Sequence, residues 1–188
     1  KSIDTGLAKS NAIVIGDYGK GVITQEYLDE LKALGQRHGV WLSLDPKPVH
    51  SLNLRGLSLI TPNRKEAFEL TGIDDNTNHA QPLKDQNLMR VAKQLLADLE
   101  LEVLLITLGD LGMLVCQPGS KPFHIPTLAR EVFDVSGAGD TVIGAYTLAV
   151  AAGADPIEAA MLANHAAGVV VGKLGTATVT PKELLASI

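Results

Sequence analysis

The sequence Asp134-Val-Ser-Gly-Ala-Gly-Asp-Thr141 predicts a tight turn between a strand and a helix. A short run before it, Glu131-Val132-Phe133, predicts a strand, and an Ala-rich helix is predicted from about Gly139 to Ala152. Two glycines separated by one small residue let the backbone turn tightly and approach a ligand closely. A strand that turns through glycines into a helix is typical of α/β proteins with a parallel sheet.

The start of that predicted helix is suited to binding an anion. Helix N-termini carry unpaired N–H groups and a partial positive charge, so the amides of Gly137, Ala138 and Gly139 would surround a phosphate or a developing oxyanion. Asp140 would face this anion hole and take a proton from a hydroxyl that attacks a phosphoryl group. The structural alternative is an Asp or Ser N-cap followed by a Gly turn, although capping requires only one polar residue.

Composition excludes several classes of protein. The 188 residues suffice for one domain with a core, and a hydrophobic fraction of 46% predicts a globular chain. A net charge of −5 argues against nucleic acid or an anionic membrane as a partner. No apolar run reaches the ~20 residues that span a bilayer. The only cysteine, Cys116, excludes a disulfide framework and a cysteine-based zinc site, and it fits a cytoplasmic location.

Buried strands alternate with amphipathic helices along the chain. Strands are predicted at 12–17, 40–45, 57–62, 103–107 and 131–135, with a hairpin of 112–117 and 121–126. Helices are predicted at 24–38, 64–71, 87–99, 139–152 and 156–171, and from Pro181 onward. This alternation predicts a three-layer α/β/α domain with a mostly parallel sheet.

Polar residues follow five of the predicted strands. In parallel α/β sheets ligands bind at the carboxyl ends of the strands. Those ends carry Asp17, Asp45, Asn63, Thr107 and Asp134. One polar strand end is ordinary loop chemistry, but five at one edge of a sheet predict a binding site.

Asn63 and Glu66 allow two interpretations. They lie three residues apart at the start of a predicted helix, where their oxygens would share one face and hold a hydrated Mg²⁺. The same pair would form a capping box, with Asn63 as the N-cap and Glu66 reaching back to it.

The loop at 107–112 and two lysines also allow two interpretations each. Thr107-Leu-Gly109-Asp-Leu-Gly112 is either a loop beside a nucleotide or an ordinary hairpin loop with glycines at its turn positions. Lys20, in Asp17-Tyr-Gly-Lys-Gly21, and Lys47, after Asp45, either steady a phosphate as point charges or belong to plain turns.

The stretch Asp134-x-Ser136-Gly-Ala-Gly-Asp140 resembles the signature of the ribokinase (PfkB-type) family of sugar kinases, although Val135 replaces the usual threonine. Asn63-x-x-Glu66 and Thr107-x-Gly-x-x-Gly112 resemble two more family motifs, in the family's order. The resemblance implies a ribokinase-like fold and a sugar kinase that uses ATP and Mg²⁺. It implies that Asp140 is the catalytic base and that Gly137, Ala138 and Gly139 form the anion hole.

The resemblance also suggests roles for further residues. Asn63 and Glu66 would organise Mg²⁺ and phosphate through water, and the helix at 156–171 with the loop after it would wall the adenine pocket. The candidates for nucleotide contact are Thr107, Gly109, Gly112, Asn63, Asn164 and Lys47, and those for substrate contact are Asp17 and Lys20. Asp134 and Ser136, with the 172–176 loop, would offer carbonyls to a monovalent cation such as K⁺.

A narrower likeness lies within this family. Asp17-Tyr-Gly-Lys-Gly21, Asp45-Pro-Lys47 and Ala167-Gly-Val-Val-Val-Gly-Lys-Leu-Gly-Thr-Ala-Thr-Val179 resemble the kinases of heptose 7-phosphate. The likeness implies phosphorylation of the anomeric hydroxyl of that sugar phosphate, for lipopolysaccharide core precursors. The alternatives are a nucleotide- or anion-binding module without turnover, and a family kinase for another sugar phosphate or a nucleoside.

The resemblance covers only the carboxyl-terminal part of the family's kinases. Nothing matches their N-terminal portion and β lid, and the chain lacks an initiator Met, so we expect residues 1–188 to be the C-terminal portion of one kinase domain. A sheet divided there would expose an apolar strand edge, so we expect upstream strands or a partner to cover it. Because the family's dimer contacts use the lid, a homodimer is expected only for the full-length protein.

Overall fold

The structure is a computed structural model that describes residues 6, 9–47, 52–128 and 132–188. Within these residues one sheet has the strand order β1-β2-β3-β4-β5-β6. The first four strands run parallel, and β5 and β6 are added antiparallel as a hairpin. The strands are β1 (Ala12–Gly16), β2 (Trp41–Asp45), β3 (Leu59–Ile60), β4 (Val103–Thr107), β5 (Met113–Cys116) and β6 (Phe123–Ile125).

The helices begin and end where the sequence has capping residues. Thr24 accepts a hydrogen bond from the Tyr27 amide at the start of the first helix, and Gly39, with φ of 65°, ends it. The helices are α1 (Gln25–His38), α2 (Arg64–Thr71), α3 (Gln86–Leu99), α4 (Ala138–Ala151), α5 (Pro156–Val171) and α6 (Pro181–Ser187). None of the helices in the described ranges combines the length and the apolar character that crossing a membrane requires.

Two hydrophobic cores lie on opposite faces of the sheet. Side chains alternate between the faces of β4, because successive residues of a strand point to opposite sides. Leu104 and Ile106 pack with residues of α1, α2 and α3. Val103 and Leu105 pack with residues of α4 and α5. Helices therefore cover both faces of a mostly parallel sheet, and the predicted three-layer architecture is confirmed.

The predicted strand at 131–135 is wrong for the part that the structure describes; Glu131 lies outside the described residues. Residues 132–135 form no strand, because the place beside β4 is taken by the antiparallel strand β5. The amides of Phe133 and Asp134 instead donate to the carbonyl of Val171, at 2.8 and 3.3 Å. Asp134 therefore comes to the sheet edge from a loop that is tied to the end of α5, and four strands, not five, deliver the predicted polar residues.

β1 lies at one end of the strand order and pairs with β2. Val14, in the middle of this edge strand, is 45% exposed. An apolar side chain on an exposed strand edge is a feature that proteins usually cover.

Candidate active site

The turn before α4 is a tight turn that ends in a glycine. Gly137 is the N-cap of the helix and has φ of +79°, a left-handed conformation that strongly favours glycine. No side chain caps this helix, so the alternative of an Asp or Ser N-cap is wrong. The Ala138 amide donates to the Val135 carbonyl at 3.1 Å, which closes the turn. Of the three predicted anion-hole amides, that of Ala138 is therefore engaged within the loop.

Asp140 lies exposed in the first turn of α4. The Tyr18 hydroxyl, 122 residues away in sequence, donates a hydrogen bond to Asp140 Oδ1 at 3.0 Å. The hydrogen bond to this carboxylate raises the pKa of Tyr18 above its ordinary value. The sequence interpretation gave Tyr18 no role, and the only signal was its place in a Gly-rich loop directly after a strand.

The loop after β1 is shaped by a buried carboxylate. Asp17 is 2% exposed, and its Oδ1 accepts the Gly19 amide at 2.9 Å. This bond folds the loop so that Tyr18 projects toward α4. Lys20 is exposed on the same loop, and neither Lys20 nor Asp17 lines the cleft described below.

Asn63 and Glu66 form the capping box that sequence allowed. Asn63 Oδ1 accepts the Glu66 amide at 3.0 Å, and Glu66 Oε2 accepts the Asn63 amide at 2.9 Å. The other carboxylate oxygen of Glu66 accepts from Lys47, which also contacts Asp45. Burial opposes the positive charge on Lys47, but the contacts with Glu66 and Asp45 outweigh burial and raise the pKa of the lysine. The pKa of Asp45 is also raised, mainly because burial disfavours its negative charge.

The Lys47 ammonium lies against carboxylate oxygens of Glu66 and Asp45. The oxygens of Asn63, Glu66 and Asp45 suit a hydrated Mg²⁺, which prefers oxygen ligands and keeps most of its waters. Across the described ranges, no group of three or more His, Cys, Asp or Glu side chains is placed to hold a metal ion directly. The contact of Asn63 and Glu66 with Mg²⁺ through water stays a prediction.

A cleft of about 420 Å³ is bounded by the β4–β5 loop, the start of α4 and the segment 132–135. The loop is both a hairpin connection and a wall of this cleft, so its two interpretations are compatible. Gly112 has φ of +86°, and a Cβ there would lie 2.1 Å from the Ile125 carbonyl oxygen. The predicted site residues that line the cleft are Thr107, Gly109, Gly112, Ala138, Gly139 and Asn164.

Two contacts join the cleft to its surroundings. Asn164 is 4% exposed, and its Nδ2 donates to the Pro126 carbonyl at 2.9 Å, which ties α5 to the segment after β6. Asn63 forms a parallel β-bridge with Thr107, which lines the cleft. The charged residues next to Asn63, which are Lys47, Glu66 and Asp45, therefore lie beside the cleft. A groove of about 590 Å³ beside α3 contains none of the predicted residues, so volume alone does not identify the site.

Asp134 connects two loops at the rim. Its Oδ1 accepts the Ser136 amide at 2.8 Å and its Oδ2 accepts the Gly175 amide at 3.1 Å. The hydrogen bond from the Ser136 amide is the largest cause of a lowered pKa for this carboxyl group. The loop 172–176 is thereby held against the turn before α4, and the K⁺ role of Asp134 and Ser136 stays a prediction.

Comparison with known structures identifies the class of fold as ribokinase-like α/β. The structure of Arabidopsis thaliana ribokinase complexed with ribose and ATP matches with a TM-score of 0.85 at 21% identity, over 100% of this chain and 58% of that one. Ribokinase from Thermotoga maritima matches with a TM-score of 0.79 at 24% identity, over 98% of this chain and 58% of that one.

The model of the pfkB family of carbohydrate kinases matches residues 5–183, and the chain belongs to that family. The bifunctional protein HldE of Geotalea uraniireducens is 44% identical over 181 residues, and that of Pectobacterium atrosepticum is 46% identical over 182 residues. These matches cover 96% and 97% of this chain, which spans 36% of the length of each relative.

Proposed function

We propose that this chain carries the nucleotide site and the catalytic base of an ATP-dependent sugar kinase. The observation that carries the proposal is the position of Asp140 in the first turn of α4, beside a cleft lined by Ala138 and Gly139 of the same turn. A carboxylate next to helix N-terminal amides suits phosphoryl transfer, because one group takes a proton while the others stabilise the transferring charge.

The proposed reaction uses residues of the β4–β5 connection and of two helices, α4 and α5. The cleft between Thr107, Gly112 and Asn164 binds ATP, whose γ-phosphoryl group lies toward the N-terminus of α4. The sugar hydroxyl gives its proton to Asp140 while its oxygen bonds to the γ-phosphorus, and the bond from that phosphorus to the bridging oxygen of ADP breaks.

In this proposal, Lys47 and the residues next to it offset the negative charge of the phosphates. Lys47 steadies phosphate as a point charge, and Asn63 and Glu66 orient Mg²⁺ through water. When bound, Mg²⁺ offsets the negative charge of the phosphates. Asp134 and Ser136 remain the candidates for a K⁺ site beside the same turn.

For the acceptor, we propose the anomeric hydroxyl of heptose 7-phosphate. The support is the likeness of the loops at Asp17–Gly21, Asp45–Lys47 and 167–179 to heptose 7-phosphate kinases, together with the identity to HldE proteins. Asp17 and Lys20 are the acceptor-side candidates in this chain. The missing acceptor contacts and a cover for the β1 edge would come from polypeptide upstream of these residues.

The test is ADP release by the natural full-length polypeptide that contains these 188 residues. The acceptor panel is heptose 7-phosphate, ribose, fructose 6-phosphate and adenosine, each with and without Mg²⁺. We expect release that depends on heptose 7-phosphate, and a loss of about 10²–10⁴-fold in kcat for Asp140→Asn with ATP affinity retained. ATP binding without release for any acceptor would favour the binding module instead.

A further inference from the structure

We propose that Tyr18 is a positioning residue for Asp140: its hydroxyl holds one carboxylate oxygen, so that the other is directed at the acceptor hydroxyl. This inference rests on the proposed function, because it concerns the base of the same reaction. Tyr18 Oη lies 3.0 Å from Asp140 Oδ1. A proton-transfer group must be held within a narrow range of positions, and a single fixed oxygen removes rotation about the carboxylate's last bond.

The surroundings of Asp140 make such a restraint necessary. Asp140 is exposed, and its helix turn begins with small residues, Gly137, Ala138 and Gly139. Within the described part of the chain, Tyr18 is the residue whose side chain donates a hydrogen bond to the Asp140 carboxylate. Without it, the side chain would sample several rotamers in solvent.

The end of β1 is built to place the Tyr18 ring. A Cβ on Gly16 would lie 3.2 Å from Tyr18 Cε2 and 3.5 Å from Cζ, so the ring lies against the bare backbone of the strand. Any side chain at position 16 would push the ring away from this surface. Gly16 has no left-handed φ that requires glycine, so close approach of the ring is the physical reason for glycine there.

The other side of the loop is fixed by Asp17. Its buried carboxylate accepts the Gly19 amide at 2.9 Å, and Gly19 and Gly21 take the left-handed conformations that the turn requires. Tyr18 is therefore held between a strand end and a side chain–backbone turn, although 64% of its own surface is exposed. These contacts hold the Tyr18 hydroxyl at the Asp140 carboxylate.

The contact itself can be measured without turnover. In wild type, Tyr18 should ionise at higher pH than an ordinary tyrosine, because its hydroxyl donates to Asp140 and its phenolate would face the charges of Asp140 and Asp45, with Lys47 opposing them. The difference in phenolate absorbance between wild type and Tyr18→Phe isolates this titration. In Asp140→Asn the midpoint should fall toward 10. An equal midpoint in wild type and Asp140→Asn would overturn the proposal.

The kinetic test uses Tyr18→Phe in the full-length protein, with Tyr27→Phe on α1 as the control for the same chemical change. We expect Tyr18→Phe to lower kcat about 3- to 10-fold with ATP affinity unchanged, the range of one lost hydrogen bond. We expect Gly16→Ala to lower kcat in the same direction, because a Cβ there would lie 3.2 Å from the Tyr18 ring.

The outcomes separate this inference from the proposed function. If Asp140→Asn is inactive but Tyr18→Phe has the wild-type kcat, the positioning role is overturned and the kinase proposal stands. If Asp140→Asn retains turnover, Asp140 is not the base, and both proposals are overturned. A Tyr18→Phe effect that persists in full on the Asp140→Asn background would also overturn the positioning role, since coupled residues cannot act independently.

Discussion

The Lys47 ammonium lies 2.7 Å from Glu66 Oε1, so the residue predicted to steady phosphate and the residue predicted to organise Mg²⁺ form one ion pair. The second carboxylate oxygen of Glu66 closes the capping box of α2 by accepting the Asn63 amide. Glu66 therefore joins the helix start to the charged group at the ends of β2 and β3. The capping and the metal interpretations describe two oxygens of one side chain and do not compete.

Replacement of Glu66 by Gln separates these two roles. Glutamine still serves at the third position of a capping box, so the start of α2 should be kept. The lost negative charge should weaken attraction of Mg²⁺, and we expect the Mg²⁺ concentration for half-maximal ADP release to rise several-fold. Glu158→Gln is the matched control, because Glu158 fills the same capping-box position in α5. Equal Mg²⁺ dependence in both variants would contradict the role of Glu66.

Local features of the fold could be predicted because they depend on neighbours in sequence. The N-cap at Thr24, the end of α1 at Gly39 and the capping box at Asn63 require residues three or four positions apart. The mostly parallel sheet could also be predicted, because the alternation of buried strands with helices is a pattern of neighbouring segments. The strand predicted at 132–135 is wrong, because whether such a segment pairs depends on which strand lies beside β4.

In the candidate site, the backbone conformation of the glycines could be predicted, because Gly-rich motifs form tight turns. Gly112 and Gly137 have the left-handed φ that their Gly-rich loops suggested. The contact of Tyr18 with Asp140 had no such signal, since it joins residues 122 positions apart and depends on how α4 crosses the end of β1. Long-range contacts of this kind follow from the assembled sheet and not from local pattern.

Two glycines of the β4–β5 loop should respond differently to alanine. Both have positive φ, so Gly109→Ala carries a conformational cost of about 1–2 kcal/mol. A Cβ on Gly112 would in addition lie 2.1 Å from the Ile125 carbonyl oxygen, whereas one on Gly109 meets no atom within 4 Å. We expect Gly112→Ala to lower the urea midpoint clearly more than Gly109→Ala and to weaken ATP binding. Equal midpoints would show that the backbone at Gly112 shifts freely.

Asp134→Asn should loosen the rim of the nucleotide cleft. The asparagine oxygen can still accept the Ser136 amide, but its NH₂ group cannot accept the Gly175 amide. The loop 172–176 would then lose its hydrogen bond to the turn before α4. We expect ATP affinity to fall several-fold with a smaller effect on kcat, measured by calorimetric titration and ADP release. Asp98→Asn, an exposed aspartate of α3, controls for the change in charge.

The buried carboxylate of Asp85 should dominate the stability of the segment between α2 and α3. Asp85 is 1% exposed; it caps α3 through the Leu88 amide and accepts from Thr77 at 2.5 Å and from Arg64 at 2.9 Å. Burial opposes its ionisation, but these hydrogen bonds outweigh burial and leave its pKa below the ordinary value. Asp85→Ala leaves Arg64 without this partner and α3 without its cap, so we expect a loss of about 3 kcal/mol in the free energy of unfolding.

The pH dependence of that loss tests its electrostatic origin. A carboxyl group with a lowered folded-state pKa stabilises the fold above its unfolded-state pKa of about 3.9 and loses this contribution as pH falls through the folded-state value. In urea unfolding, the difference between wild type and Asp85→Ala should be full near pH 7 and shrink below about pH 4. The control Asp29→Ala, which removes an exposed partner of Lys32, should leave the midpoint nearly unchanged. A difference for Asp85→Ala that stays constant through acid pH would assign its effect to packing, since a purely steric loss does not titrate.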